Sequence, residues 1–82
     1  MTAYILIQAR SEAKPLGSTI RALPAIVSAD DLTGPYDAIA VASADSIRDL
    51  YDRVLPEIRE LPGVTQALPA PLVRAGDEGK AA

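Results

Sequence analysis

Thr33-Gly34-Pro35-Tyr36-Asp37 is the stretch of this chain whose residue types and spacing best suit chemistry. Gly34 permits backbone geometry that other residues resist, Pro35 fixes φ, and Asp37 supplies one carboxylate. Two readings fit these residues. In one they form a tight hairpin, and Asp37 bonds amides of its own turn. In the other they form a backbone amide cradle suited to a small zwitterion. Asp37 would pair the ligand's ammonium, and free amides near Gly34 would take its carboxylate. Pro35 removes one donor from such a cradle.

Little else in the sequence could do catalysis. There is no His and no Cys. That excludes disulfides and argues against zinc, copper or haem sites, and it leaves any proton shuttle to Asp, Glu, Lys, Arg, Ser, Thr or Tyr. The adjacent Asp30 and Asp31 fall on an expected strand, so they point to opposite faces and read as a solvated edge. We therefore expect no catalytic residue, no metal ligand and no cofactor.

The elements that position the turn come from a half-hidden repeat. Ile20-Arg21-Ala22-Leu23-Pro24-Ala25-Ile26 matches Ile58-Arg59-Glu60-Leu61-Pro62-Gly63-Val64. Each copy reads as a helix end, a proline-stopped turn and a strand start, with the helices stopping near Leu23 and Leu61. Leu16, Ile20 and Leu23 mark the inward stripe of the first helix; Ile47, Leu50, Tyr51, Val54, Ile58 and Leu61 mark that of the second. Pro15 suits the start of the first helix, and Asp45 or Ser43 can cap the second. Gly17 weakens the first helix, and Pro56 should kink the second by removing a bond to the Asp52 carbonyl.

Strands are expected at Tyr4 to Gln8, Ile26 to Thr33, Ala38 to Ala42 and Val64 to Leu68. The order β-α-β-β-α-β, with right-handed crossovers, gives an α+β ferredoxin-like fold: a four-stranded antiparallel sheet with both helices on one face. The most apolar strands, the first and third, belong in the centre. Aligning them puts Ile5, Ile7, Ile39 and Val41 under the helices. The other face would then carry Tyr4, Leu6, Gln8, Ala38, Ala40 and Ala42, with Val27, Ala29, Thr65 and Ala67 at its edges, and no charge. Such a face is a large apolar patch, which favours face-to-face pairing with a second copy.

The bounds of composition agree. A chain of 82 residues is one domain and marginal alone. Without disulfides or a metal, the available staple is a partner subunit. The net charge is −3 and the eight basic residues are scattered, so direct binding to nucleic acid is not expected. The apolar run from Ala3 to Ile7 is far short of a membrane span. No secretory leader pattern is visible, which makes the cytoplasm the expected compartment.

Ala22-Leu23-Pro24, Leu32-Thr33-Gly34-Pro35-Tyr36-Asp37, Ala44-Asp45-Ser46 and Leu61-Pro62-Gly63-Val64 together carry a resemblance. The chain resembles the C-terminal effector domain of the Lrp/AsnC transcription regulators, the RAM domain, from Thr2 to about Arg74. The resemblance implies a dimeric α/β sandwich, or barrel, with dimers assembling into rings. It also implies an amino-acid effector held between dimers against the turn, so that Thr33, Gly34, Tyr36 and Asp37 would be its contacts. Full-length regulators carry a helix-turn-helix domain ahead of this one. Here the first strand begins at residue 3. A stand-alone module is therefore expected, with residues 1–74 as the domain and 75–82 as a flexible tail. It would sense a ligand and oligomerise, with itself or with a full-length Lrp/AsnC regulator. Two other readings stand beside it: a small dimeric α/β-barrel enzyme of monooxygenase or isomerase type, and a purely structural assembly module.

Overall fold

The computed structural model describes residues 1–71. The expected tail at 75–82, and the domain boundary at 74, lie outside the described residues. The elements are β1 (Thr2–Ala9), a 3-10 turn (Ser11–Ala13), α1 (Gly17–Arg21), β2 (Ile26–Asp31), β3 (Ala38–Ser43), α2 (Ile47–Asp49), a π-helical turn (Leu50–Val54), α3 (Leu55–Arg59) and β4 (Val64–Pro71). The segment 47–59 is one continuous helix with a widened middle. The four strands pair antiparallel in the order β2-β3-β1-β4, the ferredoxin-like arrangement. The apolar strands β1 and β3 sit in the centre, as their composition requires.

The two halves repeat in their hydrogen bonds. Leu23 N–H donates to Ile20 at 3.0 Å and Ile26 N–H to Leu23 at 3.1 Å. Leu61 N–H donates to Ile58 at 3.1 Å and Val64 N–H to Leu61 at 3.2 Å. The regular helices stop at Arg21 and Arg59, two residues before those leucines. β2 ends at Asp31, short of Thr33, and β4 runs on to Pro71, past Leu68.

The faces of the sheet differ from the sequence expectation. Ile5 lies opposite Ala40, Ile7 opposite Ala38 and Ala3 opposite Ala42. All six are 0–1% exposed beneath the helices. Ile39 and Val41 instead pair with Leu6 and Tyr4 on the open face. Ala29 and Ala67 also belong to the core, at 2% and 1% exposed. The reason is volume. Methyl-sized residues in β3 leave room for Ile20, Leu50, Leu55 and Ile58 to descend onto Ile5 and Ile7, so large and small residues interdigitate. The open face also holds Asp30, which lies opposite Ile39, so it is not free of charge.

Asp31 does more than decorate an edge. Its Oδ1 accepts from the backbone N–H groups of Leu16 and Gly17, at 2.9 and 3.0 Å, and so caps α1 from a distance. A Cβ at position 17 would lie 2.8 Å from the other carboxylate oxygen, so glycine permits this approach. Pro15 lies ahead of the helix rather than in its first turn.

The cap of the second helix is Ser46, not Asp45 or Ser43. Its Oγ accepts from Asp49 N–H at 3.0 Å, and the Asp49 carboxylate accepts from Asp45 N–H at 2.9 Å. Pro56 is accommodated by the π-helical turn, where Leu55 N–H bonds to the Leu50 carbonyl five residues back. The extra residue shifts the inward stripe by one position. Leu50, Val54, Leu55 and Ile58 are buried, while Ile47 and Tyr51 are about half exposed.

Candidate functional site

The turn between β2 and β3 spans residues 32–37 and is closed by Leu32 N–H donating to the Asp37 carbonyl at 2.9 Å. It is bonded to the end of β1 in three places. Asp37 N–H donates to Ile7 at 2.8 Å, Gln8 Nε2 donates to the Pro35 carbonyl at 2.7 Å, and Ala9 N–H donates to Asp37 Oδ2 at 2.7 Å. Asp37 therefore caps a neighbouring strand and not its own hairpin. Gly34 has φ +114°, and a Cβ there would meet nothing within 4 Å. Glycine at this position is a matter of backbone conformation alone. Thr33 and Gly34 are exposed; Tyr36 and Asp37 are half-buried. The four expected contact residues thus lie on one turn at one corner of the molecule.

Lys14 completes the corner. Its Nζ lies 2.6 Å from Asp37 Oδ1. This bond, then the Ala9 N–H, holds the Asp37 carboxyl below its ordinary range, against the smaller opposing effect of burial. Lys14 follows the 3-10 turn, and that segment is anchored to the start of β4. Arg10 N–H donates to the Gly63 carbonyl at 2.8 Å. Gly63 has φ +86°, and a Cβ there would collide with that of Ala13. Three segments meet here: the β1–α1 connection, the β2–β3 turn and the α3–β4 turn.

Sequence reasoning found the turn but missed Lys14, Gln8 and the Ala9 amide. Their partners are distant along the chain, and no spacing rule links them. Among the described residues, no three His, Cys, Asp or Glu side chains converge as metal ligands, and a single chain encloses no cavity. No helix among them is long and apolar enough to cross a membrane.

The architecture is thus an antiparallel ferredoxin-like sheet with one open face and an inter-strand turn braced against β1. Residues 2–67 match the profile described as the Lrp/AsnC ligand binding domain. The chain belongs to the Lrp/AsnC ligand-binding domain family, a family of regulators. It is 33% identical to TTHA0845 from Thermus thermophilus, whose crystal structure superposes with a TM-score of 0.78 over 90% of this chain and 94% of that one. FFRP-DM1 shares the fold at 23% identity and a TM-score of 0.77, over 88% of this chain and 97% of that one. The transcriptional regulator NMB0573 from Neisseria meningitidis, solved as a complex with L-Met, does so at 22% identity and a TM-score of 0.75. That alignment covers 90% of this chain and 50% of the regulator. A comparison with curated protein sequences found no match.

Proposed function

We propose that the protein senses an amino acid or similar small zwitterion at the β2–β3 turn, within an assembly built from dimers. The observation that carries this reading is the turn itself. In a chain of the Lrp/AsnC ligand-binding family, the turn that carries Thr33, Gly34, Tyr36 and Asp37 is tied to β1 through Pro35 and Asp37. The L-Met complex of a regulator with the same fold supports an amino acid as the ligand class. An open corner needs a second wall to enclose a ligand, and a second dimer would supply it.

The dimer itself would form through the open sheet face. Tyr4, Leu6, Ile39, Val41 and Leu68 project there. Burying each aliphatic side chain among them contributes about 1.5–3 kcal/mol. The chain would act without touching DNA itself, since its net charge is −3 and its basic residues are scattered along the sequence. Any transcriptional effect would then pass through a DNA-binding partner of the same family.

The test is a calorimetric and thermal-shift screen of the purified chain against the twenty common amino acids. Sedimentation is followed with and without each. Saturable binding accompanied by a change in assembly supports sensing. An assembly that forms rings and binds none at millimolar concentration makes the protein a structural module instead.

A further inference from the structure

Asp37 is the one carboxylate within the turn, which would make it the natural partner for a ligand's ammonium. Both of its oxygens are already engaged: Oδ2 by the Ala9 N–H at 2.7 Å, Oδ1 by Lys14 Nζ at 2.6 Å. Its side chain is only 13% exposed. A ligand ammonium arriving there would displace the Lys14 ammonium and exchange one ion pair for another of the same kind. It would also free Lys14 from the partner that holds it.

Lys14 is in the opposite situation. A lysine ammonium has three donors. Asp37 is its one partner among the described residues, and its side chain is 42% exposed. The ion pair fixes a normally flexible side chain beside the turn, so less conformational freedom is lost when it meets a ligand. The backbone behind it is equally fixed, through the Arg10–Gly63 bond and the contact of Ala13 with Gly63. The turn it faces is fixed through Gln8 and Pro35.

We propose that Lys14, not Asp37, is the charged group that reads the ligand, and that it does so through the ligand's carboxylate. Asp37 is a positioning residue that holds Lys14. This rests on the ligand-sensing reading above and specifies it. The feature this chain selects is a small carboxylate; recognition of an ammonium falls to the opposing copy.

Calorimetry on the full chain tests this with L-methionine and L-methioninamide, which keeps the ammonium and loses the carboxylate. If another common amino acid gives the larger thermal shift, that acid and its carboxamide are the probes. The wild type should hold the acid at least about tenfold tighter than the carboxamide, the scale of one charge-assisted bond. Lys14→Met should remove that preference, Lys14→Arg should restore it, and Asp37→Asn should keep it with a weaker affinity. Melting curves and circular dichroism establish that each variant is folded. The proposal is overturned, with ligand sensing intact, if Lys14→Met binds the acid like the wild type. It is equally overturned if acid and carboxamide bind alike and Asp37→Asn abolishes both. A wild type that binds no amino acid overturns this proposal and the sensing reading together.

Discussion

The guanidinium of Arg21 donates to the carbonyl of Ala29 at 2.7 Å, tying the end of α1 to the edge strand β2. Arg59 does the same in the second half, donating to Ala67 on the other edge strand, β4, at 3.1 Å. In both halves the acceptor lies eight residues after the arginine. The sequence repeat therefore extends beyond its seven matched residues into a shared side-chain contact. It places a cation over each edge, where an unpaired strand would otherwise be open to another chain.

Arg21→Ala and Arg59→Ala should each lower stability by about 1 kcal/mol, the net scale of one hydrogen bond. They share no partner, so the double variant should lose the sum. Arg48→Ala is the control. Its ion pair with Asp52 is 3.3 Å long, and the two side chains are 90% and 67% exposed. Its cost should stay below about 0.5 kcal/mol. Urea unfolding midpoints decide this, and equal losses for Arg48 and Arg21 would contradict the assignment.

Gly63 and Gly34 both have positive φ, but they should not respond alike. At Gly63 an added Cβ runs into the side chain of Ala13, whereas at Gly34 it meets open space. Gly34→Ala should cost about 1 kcal/mol in backbone strain. Gly63→Ala adds overpacking and should cost about 2–4 kcal/mol. Thermal melts of the two variants give the ranking, which disappears if the 3-10 turn can move away freely.

The order of elements was legible because helix stripes, proline stops and apolar strands all point the same way. The parity of β3 was not. Ala38-Ile39-Ala40-Val41-Ala42 is apolar at every position, so alternation cannot say which set is buried. Side-chain volume chose the alanines, and volume is a property of the packed whole. The second helix shows the same limit. Its periodic stripe included Tyr51 until the π-helical turn moved the inward position to Leu55. At the candidate site, Gly34 and Pro35 marked the turn locally, while Lys14 and Gln8 come to it from other segments.

Acid should reveal the Asp49–Arg53 pair. Hydrogen bonds from Arg53, at 2.7 and 2.8 Å, and then from Asp45 N–H pull the Asp49 carboxyl down to about 2 from an ordinary 3.8. A depressed carboxylate stabilises the fold while ionised. Its contribution is complete above the unfolded value and fades as pH falls from 3.8 toward 2. Asp49→Asn should therefore melt lower than the wild type at pH 6, and the gap should narrow between pH 4 and 2, about the window those values set. A constant gap across that range would show that the charge contributes nothing.

The register of β3 decides which substitution tests the proposed dimer. Ala40 is 1% exposed beneath the helices, so Ala40→Glu would bury a carboxylate in the core of one chain. It should unfold the protein whatever its assembly, because an unpaired buried charge is among the costliest changes. Val41 lies opposite Tyr4 on the open face. In a single chain, Val41→Glu leaves the new carboxylate in contact with water, while in a face-to-face dimer it buries two of them at the interface. The expected outcome is a folded monomer: native circular dichroism, and the 8.6 kDa mass of one chain by light scattering. Leu6→Glu, one strand over on the same face, should behave likewise. If both variants keep the wild-type mass, the open face is not the dimer interface, and the partner must sit on the helices or on a sheet edge.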